Sequence, residues 1–448
     1  MCPHLQRPHA AQAPAGLPAD TESAFTVDAS RVTFGAGALH EVGHRVALHL
    51  PDGGRVAVYT DTRVRRTEWY DDTLTALRRQ NLEVVVFDGV LVEPTDVSMN
   101  EGVAFARETH ADAFVSLGGG SVIDTAKLAN LLATHPGELL DYVNAPLGGA
   151  RPVPGPLKPH VACPTTSGTG SEVTGIAIFD LLSAHAKTGV SSPQLRPTEA
   201  VVDPRTTASL PADVVASSGL DVLCHAIESL TARPYTSRPA TTPGARPASQ
   251  GANPWSDLGA RQAIELIGRY LRRAVADAHD EDARHQMMWA ATLAGIAFGN
   301  AGVHLPHAMA YAVAGVLHDT GSSYCPAGYP QDGAMVPHGF AVAVNAPAAF
   351  RALAPTAPFR HLEAARLLGG HTAGVSPGEA GAVLAETMAS LMHDIGAPNG
   401  IGGVGYTLDD VPDLVKGAAP QRRLLDNAPS PVHEAELEAI FRDALRCW

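Results

Sequence analysis

Between residue 25 and about residue 205, short apolar runs alternate with longer stretches of helical spacing. Arg55–Asp61, Glu83–Phe87, Ala113–Leu117, His160–Cys163 and Ala200–Asp203 read as strands, the last closed by Pro204. Between the first three, Trp69–Gln80 and Ser98–Thr109 carry apolar residues at helical intervals. Strands that are apolar on both sides and alternate with helices predict a parallel sheet covered on both faces. After Pro211 the alternation stops. Helical spacing predicts helices over Ala212–Thr231, Trp255–Asp277, Glu281–Asn300, His304–Gly315, His338–Leu353, Pro377–Ile395 and Glu434–Cys447. The expected organisation is a flexible N-terminal segment (1–24), an α/β domain (25–205) and an all-α domain (206–448). Two stretches interrupt the second half as loops: Arg233–Asn253, rich in Pro, Thr, Arg and Gly, and Leu317–Pro337, rich in Gly, Pro and Tyr.

Composition narrows the function classes. Of 448 residues, 45% are hydrophobic and 17% charged, which excludes a disordered chain. The formal net charge of −14 argues against nonspecific nucleic-acid binding and against anionic membrane surfaces. The most apolar stretch, Met287–Val303, is interrupted by Thr292 and Asn300 and reads as a buried helix, not a membrane span. Cys2, Cys163, Cys224, Cys325 and Cys447 form no CxxC pair, so a reducing compartment is expected. Met1–Ser23 contains four prolines, a single Arg and no apolar segment, so neither a secretory signal nor a transit peptide is expected. A soluble cytoplasmic protein is the expectation. Histidine is abundant, at 20 residues, which makes a metal site worth seeking.

Three constellations carry chemistry. Ser116-Leu-Gly-Gly-Gly-Ser-Val-Ile-Asp-Thr-Ala-Lys127 follows a strand and opens a helix. Successive glycines let a ligand approach the backbone, and the helix start offers free N–H groups to a pyrophosphate. Cys163-Pro-Thr-Thr-Ser-Gly-Thr-Gly-Ser-Glu172 also follows a strand. Its hydroxyls can bond phosphates and sugars without committing charge, so both loops suit a nucleotide crevice at the carboxyl ends of the strands. The third is a ligand set. Ser218-Gly-Leu-Asp-Val-Leu-Cys-His-Ala-Ile-Glu228 puts Asp221 and His225 on one helix face, four residues apart. His307 or His304, in Val303–Tyr311, and His338, in Val336–Gly339, supply further imidazoles. One carboxylate with three imidazoles suits Fe²⁺ or Zn²⁺.

In this order, GGGSxxDxxK, PTTSGTGSE, SGxDxxxHAxE, His307 and Pro337-His338-Gly339 resemble the iron-containing (group III) alcohol dehydrogenases. The resemblance runs from about Phe25 to the C-terminus. Within that family it is nearer to the hydroxyacid-oxoacid transhydrogenase branch. The residues that carry this are Val92–Asp96, Leu140–Pro146, Leu157–Pro159, Gln250–Pro254, Phe298–Leu305, Val415–Gly417 and the Arg233–Asn253 insert. The resemblance implies a Rossmann-like domain followed by a helical domain, the architecture shared with dehydroquinate synthase, with the cofactor in the cleft between. It implies Asp221, His225, His307 and His338 as metal ligands, with catalysis through the metal. It puts Gly119, Gly120, Ser121 and Asp124 at the pyrophosphate turn, and it matches Thr165, Thr166, Thr169, Thr174 and Lys187 to positions that contact the cofactor. Asp61, at the end of the first predicted strand, would face the adenine ribose. A carboxylate there repels a 2′-phosphate, which favours NAD over NADP. Many family members carry a further His four residues after the third ligand. Here that position is Tyr311, a poorer proton relay near neutral pH.

The function so implied is metal-dependent hydride transfer between a hydroxyacid and an oxoacid on bound NAD. The substrate pair would be 4-hydroxybutyrate and 2-oxoglutarate, the products succinate semialdehyde and 2-hydroxyglutarate. The alternative is an NAD-dependent alcohol dehydrogenase of the same family acting on a small alcohol. Expected partners are small hydroxyacids and oxoacids and, by the resemblance, further copies of the chain. Expected cofactors are Fe²⁺, with Zn²⁺ as the other fit, and NAD. Arg233, Arg238 and Arg246 are candidates to clamp a substrate carboxylate.

Overall fold

The computed structural model describes residues 20–184, 186–331 and 333–448. Residues 1–19 of the expected flexible segment lie outside the described residues. In the remainder, Glu22 donates its N–H to the Arg238 carbonyl at 2.8 Å and pairs its carboxylate with Arg246 at 3.3 Å, against the Arg233–Asn253 insert.

Six strands form one parallel sheet: β1 (Arg31–Phe34), β2 (Arg55–Tyr59), β3 (Glu83–Phe87), β4 (Ala113–Gly118), β5 (His160–Pro164) and β8 (Glu199–Val202). The spatial order is β1-β8-β5-β4-β2-β3. A separate antiparallel hairpin consists of β6 (Ile176–Leu181) and β7 (Ala186–Ser191). The helices of this half are α1 (Val42–Ala47), α2 (Glu68–Arg78), α3 (Asp96–Thr109), α4 (Gly120–Thr134) and α5 (Leu139–Tyr142). Then come α6 (Ala212–Thr231), α7 (Pro254–Ala276), α8 (Glu281–Ala301), α9 (Leu305–Gly315), α10 (His338–Ala343), α11 (Ala346–Leu353), α12 (Pro358–Leu367), α13 (Ala380–Asp394), α14 (Val411–Ala418), α15 (Arg422–Leu425) and α16 (Glu434–Asp443). Among the described residues, no helix is long and apolar enough to cross a membrane.

The two-sided burial follows the strand period of two. Val56 and Val58 of β2, with Ala113, Val115 and Leu117 of β4, pack with Leu74 and Leu77 of α2. The intervening Ala57, Tyr59 and Phe114 pack with Ala106 of α3 and Val122 and Ala126 of α4. The chain runs from β2 to β3 on one side and returns to β4 on the other. The crevice between the carboxyl ends of β2 and β4 is therefore the switch point at which open α/β sheets bind ligands.

The helical half packs around α6, which is buried along most of its length. A Cβ at Gly219 would lie 2.3 Å from Leu271 Cδ1, so a glycine there lets α7 close onto α6. The expected helix over 338–353 is two helices: it stops before Asn345 and restarts with Pro347 in the first turn of α11, where a missing N–H does no harm. β1, the β6–β7 hairpin, α12 and α14 have no counterpart in the expected elements. The hairpin strand β7 carries a buried lysine, Lys187, which pairs with Asp180 across the hairpin and with Glu93 from distant sequence.

Two buried histidines away from the cleft give a stability prediction. His160 Nε2 meets Ser116 Oγ at 2.8 Å, and burial, helped by the charge of Lys127, pushes its pKa down to about 3. His361 Nδ1 meets the Ala357 carbonyl at 2.8 Å, and burial pushes its pKa down to about 4 despite that bond. Both rings are neutral when folded, whereas the unfolded chain takes up protons below about pH 6.5. Their contribution is fully present above that pH and is lost as pH falls toward 4 and 3. Thermal midpoints measured from pH 7.5 to 4.5 should fall, and His160→Gln should fall less steeply over the same range. An unchanged slope in the variant would exclude His160 as a source of the dependence.

Candidate active site

The carboxylate of Asp221 on α6 is the centre of the site. It is buried, with 2% of the residue exposed. His225 follows one turn later on the same face, α9 brings His307, and α10 begins with His338. The Nε2 atoms of His225, His307 and His338 lie 3.7, 3.5 and 3.8 Å from Asp221 Oδ1. Those separations are too long for good hydrogen bonds. They are close to the ~3.4 Å between ligands placed about 2.1 Å from a shared tetrahedral ion. Asp221 Oδ1 and His307 Nε2 are both buried without a hydrogen-bond partner, a state that a cation between them would relieve. Donor atoms of Asp221, His307 and His338 are all within 4.8 Å of one another. His225 lies just outside that group, its ring stacked on Phe298 at 4.0 Å and on His307 at 4.7 Å. The residues present therefore fit a divalent ion such as Fe²⁺ or Zn²⁺.

Two local devices set this geometry. A Cβ at Gly339 would sit 2.0 Å from the Ser217 carbonyl, so only glycine lets the start of α10 touch the backbone of α6 and bring His338 to Asp221. Glu228, fully buried on α6 and two turns after Asp221, holds His307. Its carboxylate accepts a very short hydrogen bond from His307 Nδ1–H. It also accepts the backbone N–H groups of His304 at 2.8 Å and His307 at 3.3 Å, which are otherwise unpaired at the start of α9. With the proton fixed on Nδ1, His307 Nε2 keeps its lone pair for an ion. His304 turns elsewhere, with Nε2 3.0 Å from Thr231 Oγ1.

The electrostatics match. Burial raises the Asp221 pKa, but the imidazoles of His225, His338 and His307 outweigh it and hold the carboxyl well below its usual range. Burial disfavours the charged form of His307, yet Glu228 and Asp221 lift its pKa to about 9, so an ion would bind at Nε2 in exchange for a proton. His225 lacks such a clamp, and burial pushes it down to about 3 despite Asp221.

A cleft runs from the sheet edge to this cluster. The outer cavity is lined by Asp61, Gly119, Gly120, Ser121, Thr165, Thr166 and Thr169 together with Asp221 and His338. An inner cavity continues from it, lined by Asp124, Thr174, Lys187, His225, His307 and Tyr311. Asp221, His225, His307 and His338, Tyr311 and every residue expected at the cofactor thus border these two cavities. Asp61 Oδ1 accepts the N–H groups of Arg63 and Val64 at 2.8 and 2.9 Å, which holds the turn after β2. A Cβ at Gly120 would lie 2.5 Å from Thr169 Cγ2, so this glycine is required by the crossing of the two loops. Asp124 is occupied by protein groups: the Ser171 hydroxyl, Lys127 Nζ at 3.4 Å and the Ile178 N–H at 2.9 Å. Lys187 is paired with Glu93 at 2.6 Å and Asp180 at 3.0 Å, and these carboxylates overcome burial to hold its pKa above the usual lysine range.

Some expectations need correction. Arg233, Arg238 and Arg246 line neither the outer nor the inner cavity, because the insert packs against the residues before β1, such as Thr21 and Thr26, and Arg246 is spent on Glu22. The arginine on the inner wall is Arg423, and from the insert only Ser249 reaches that wall. Glu228, Glu93 and Arg423 were not singled out from the sequence. Glu228 had a signal, a carboxylate seven residues after Asp221 on an apolar helix. Glu93 lies in the Val92–Asp96 run that carries the resemblance, but no role followed from it, and Arg423 had no signal, since their positions depend on how distant segments dock.

A sheet that opens at its carboxyl edge onto a buried carboxylate–imidazole cluster supplied by helices is the plan of a metal-dependent oxidoreductase. Residues 29–204 match the family model for iron-containing alcohol dehydrogenase, and residues 248–323 and 332–445 match that for the C-terminal part of the Fe-containing alcohol dehydrogenase family. The chain belongs to this family. Similar curated proteins include "Hydroxyacid-oxoacid transhydrogenase, mitochondrial" of Xenopus tropicalis, 43% identical over 96% of this chain and 92% of that protein. The Mus musculus protein of the same name is 42% identical over 100% of this chain and 95% of its own length. Among solved structures, a 1,3-propanediol oxidoreductase is 31% identical with a TM-score of 0.80, covering 94% of this chain and 100% of that one. An alcohol dehydrogenase from Oenococcus oeni is 27% identical with a TM-score of 0.80 and the same coverage. The expected cytoplasmic location is overturned by the curated relatives, whose names place them in mitochondria.

The ligand geometry predicts metal content. His225→Ala and His307→Ala should lose most of the divalent metal measured by elemental analysis, whereas His304→Ala should keep it. Glu228→Gln should bind metal roughly 10- to 100-fold more weakly, because the Nδ1 proton of His307 loses its carboxylate acceptor. Metal retained in His307→Ala but lost in His304→Ala would reverse the assignment.

Proposed function

We propose that this protein is an oxidoreductase that passes hydride between a hydroxyacid and an oxoacid through bound NAD, with 4-hydroxybutyrate and 2-oxoglutarate as the substrate pair. The observation that carries this reading is the position of the Asp221 cluster, at the junction of the sheet-edge crevice and an inner cavity whose wall joins Ile176, Ile178 and Phe298 to charged groups. The near full-length relationship to proteins named hydroxyacid-oxoacid transhydrogenase supports it. The chain is read as an α/β cofactor domain over 25–205 and a helical metal and substrate domain over 206–448. Separate cores support this division, one built on β2 and β4 and another on α6 to α11.

Asp221, His225, His307 and His338 would hold the metal. A metal bound there supplies Lewis acidity to a substrate oxygen, and NAD in the outer crevice supplies the hydride acceptor and donor. The chain's own residues do the rest. Glu228 holds the His307 tautomer. The turn at Gly119–Ser121, at the start of α4, offers backbone N–H groups and the positive end of the helix to a pyrophosphate. Asp61, with one oxygen committed to its own turn, leaves the other for ribose hydroxyls. Lys127 Nζ, donating to Ser171 Oγ and the Ile176 carbonyl at 2.6 Å each, ties the hydroxyl-rich loop to α4. Tyr311 is kept protonated at neutral pH: burial raises its pKa, against the charges of Arg423 and Lys187. Its hydroxyl can donate a hydrogen bond to a substrate oxygen but is not a general base there.

The decisive experiment uses 4-hydroxybutyrate deuterated at C4, 2-oxoglutarate and dialysed enzyme. Deuterium should appear at C2 of 2-hydroxyglutarate with no nicotinamide added, and excess unlabelled NADH should not dilute it. Label that washes into free NADH would instead identify an alcohol dehydrogenase with exchanging cofactor. Asp61→Gly should also relax the preference for NAD over NADP, checked by comparing the affinities of both nucleotides for protein and variant; equal affinities in the unmodified chain would remove Asp61 from that role.

A further inference from the structure

Tyr311 and Arg423 form a wall that the inner cavity shares with a neighbouring one. This third cavity is bounded by Asn144, Thr188, Lys416 and Gln421 and reaches the surface at the exposed Lys416. The outer crevice shares no lining residue with this third cavity. The inner chamber thus borders two others, the outer crevice across the glycine turn and the third cavity across Tyr311 and Arg423.

Arg423 differs from the other cations nearby. Lys187, on the same inner wall, is neutralised by Glu93 and Asp180. Arg422, in the third cavity, is paired with Asp426. Among the described residues Arg423 has no ion pair and its guanidinium no hydrogen-bond partner, although the residue is half-buried. It is near enough to Tyr311 for its charge to be felt at the phenol. A half-buried guanidinium left unpaired on the wall of a cavity is a planar, two-pronged receptor for a carboxylate.

The chemistry of the proposed substrate pair fits one such receptor. In 4-hydroxybutyrate, two methylenes separate the carbon that gives up hydride from the carboxyl carbon. In 2-oxoglutarate, two methylenes separate the carbon that accepts hydride from the distal carboxyl carbon. A single fixed anchor therefore sets both reacting carbons at the same place.

Resting on the function proposed above, we propose that Arg423 is the carboxylate anchor for both donor and acceptor acids, which reach it through the third cavity while the dinucleotide occupies the outer crevice. Substrates then exchange without disturbing the cofactor. Acids with one methylene fewer or more would misplace the reacting carbon and be poorer substrates.

The test uses glutarate, an unreactive acid with the carbon skeleton of 2-oxoglutarate, and calorimetric titration of the holoenzyme. Arg423→Gln should weaken glutarate binding roughly 10- to 100-fold, the range for a charge-assisted hydrogen-bonded pair. Arg423→Lys should recover part of that loss, and Arg246→Gln should bind as the unmodified protein does. In turnover, Arg423→Gln should raise KM for both acids by a similar factor with a smaller change in kcat, at unchanged metal content and thermal midpoint. Equal glutarate affinity in Arg423→Gln, or no glutarate binding by the unmodified protein, would overturn the proposal. Arg423-dependent glutarate binding without deuterium transfer would leave the anchor standing and remove the transhydrogenase reading. Deuterium transfer untouched by Arg423→Gln would do the reverse.

Discussion

A carboxylate buried among helices has to be compensated, and the compensation of Asp221 organises this structure. An isolated ionised group in such a place is strongly unfavourable unless cations or hydrogen bonds surround it. Three imidazoles converge on its Oδ1, each delivered by a different stretch of chain or helical turn. The close helix contact at Gly339, the burial of Glu228 against the start of α9, and the stacking of His225 on Phe298 are the means of delivery. Each would be poorly motivated alone. Together they place a cluster whose donors fit a cation at the meeting of the helical layer and the carboxyl edge of the sheet.

The same logic of matched charge continues outward from the centre. Lys187 is buried on β7 because Glu93 and Asp180 meet it, and Glu93 also accepts the His338 N–H at 3.3 Å. Lys127 is fully buried on α4 because Ser171 Oγ and the Ile176 carbonyl accept hydrogen bonds from its ammonium. Burial still depresses its pKa to about 8, against the pull of Asp124. These two lysines tie the hairpin and the hydroxyl-rich loop to the sheet, so the cleft walls are held by polar contacts that few other partners could satisfy. Against this neutralised background, a lone guanidinium on the inner wall stands out chemically.

Division of labour between the halves follows. The sheet contributes turns whose geometry is dictated by close backbone approach, as at Gly120 beneath Thr169. The helical layer contributes rigid side chains whose direction is set by packing. A reaction that needs one ligand held extended and another held at a fixed carbon suits such a pairing, because loops adapt to the first and helices locate the second.

Much of this was legible in the chain. The period-two burial of β2 and β4, the helical run of α6, and the spacing of Asp221 and His225 are local properties, and local sequence determines them. The glycine turn and the PTTSGTGSE loop declared themselves because their residue types serve few other purposes. The choice between His304 and His307 was not local. It turned on the orientation of α9, which the Glu228 carboxylate sets by capping the helix start. The break before Asn345 was visible in principle, since Pro347 sits inside the expected helix, but where the helix restarts depends on packing. Arg423 and Glu93 joined the cleft only through docking of segments far apart in the chain, and the insert arginines were excluded from it in the same way. Sequence by itself determined which elements form and which residues could do chemistry; tertiary structure decided which of them meet, because burial and charge compensation act between segments that no spacing rule connects.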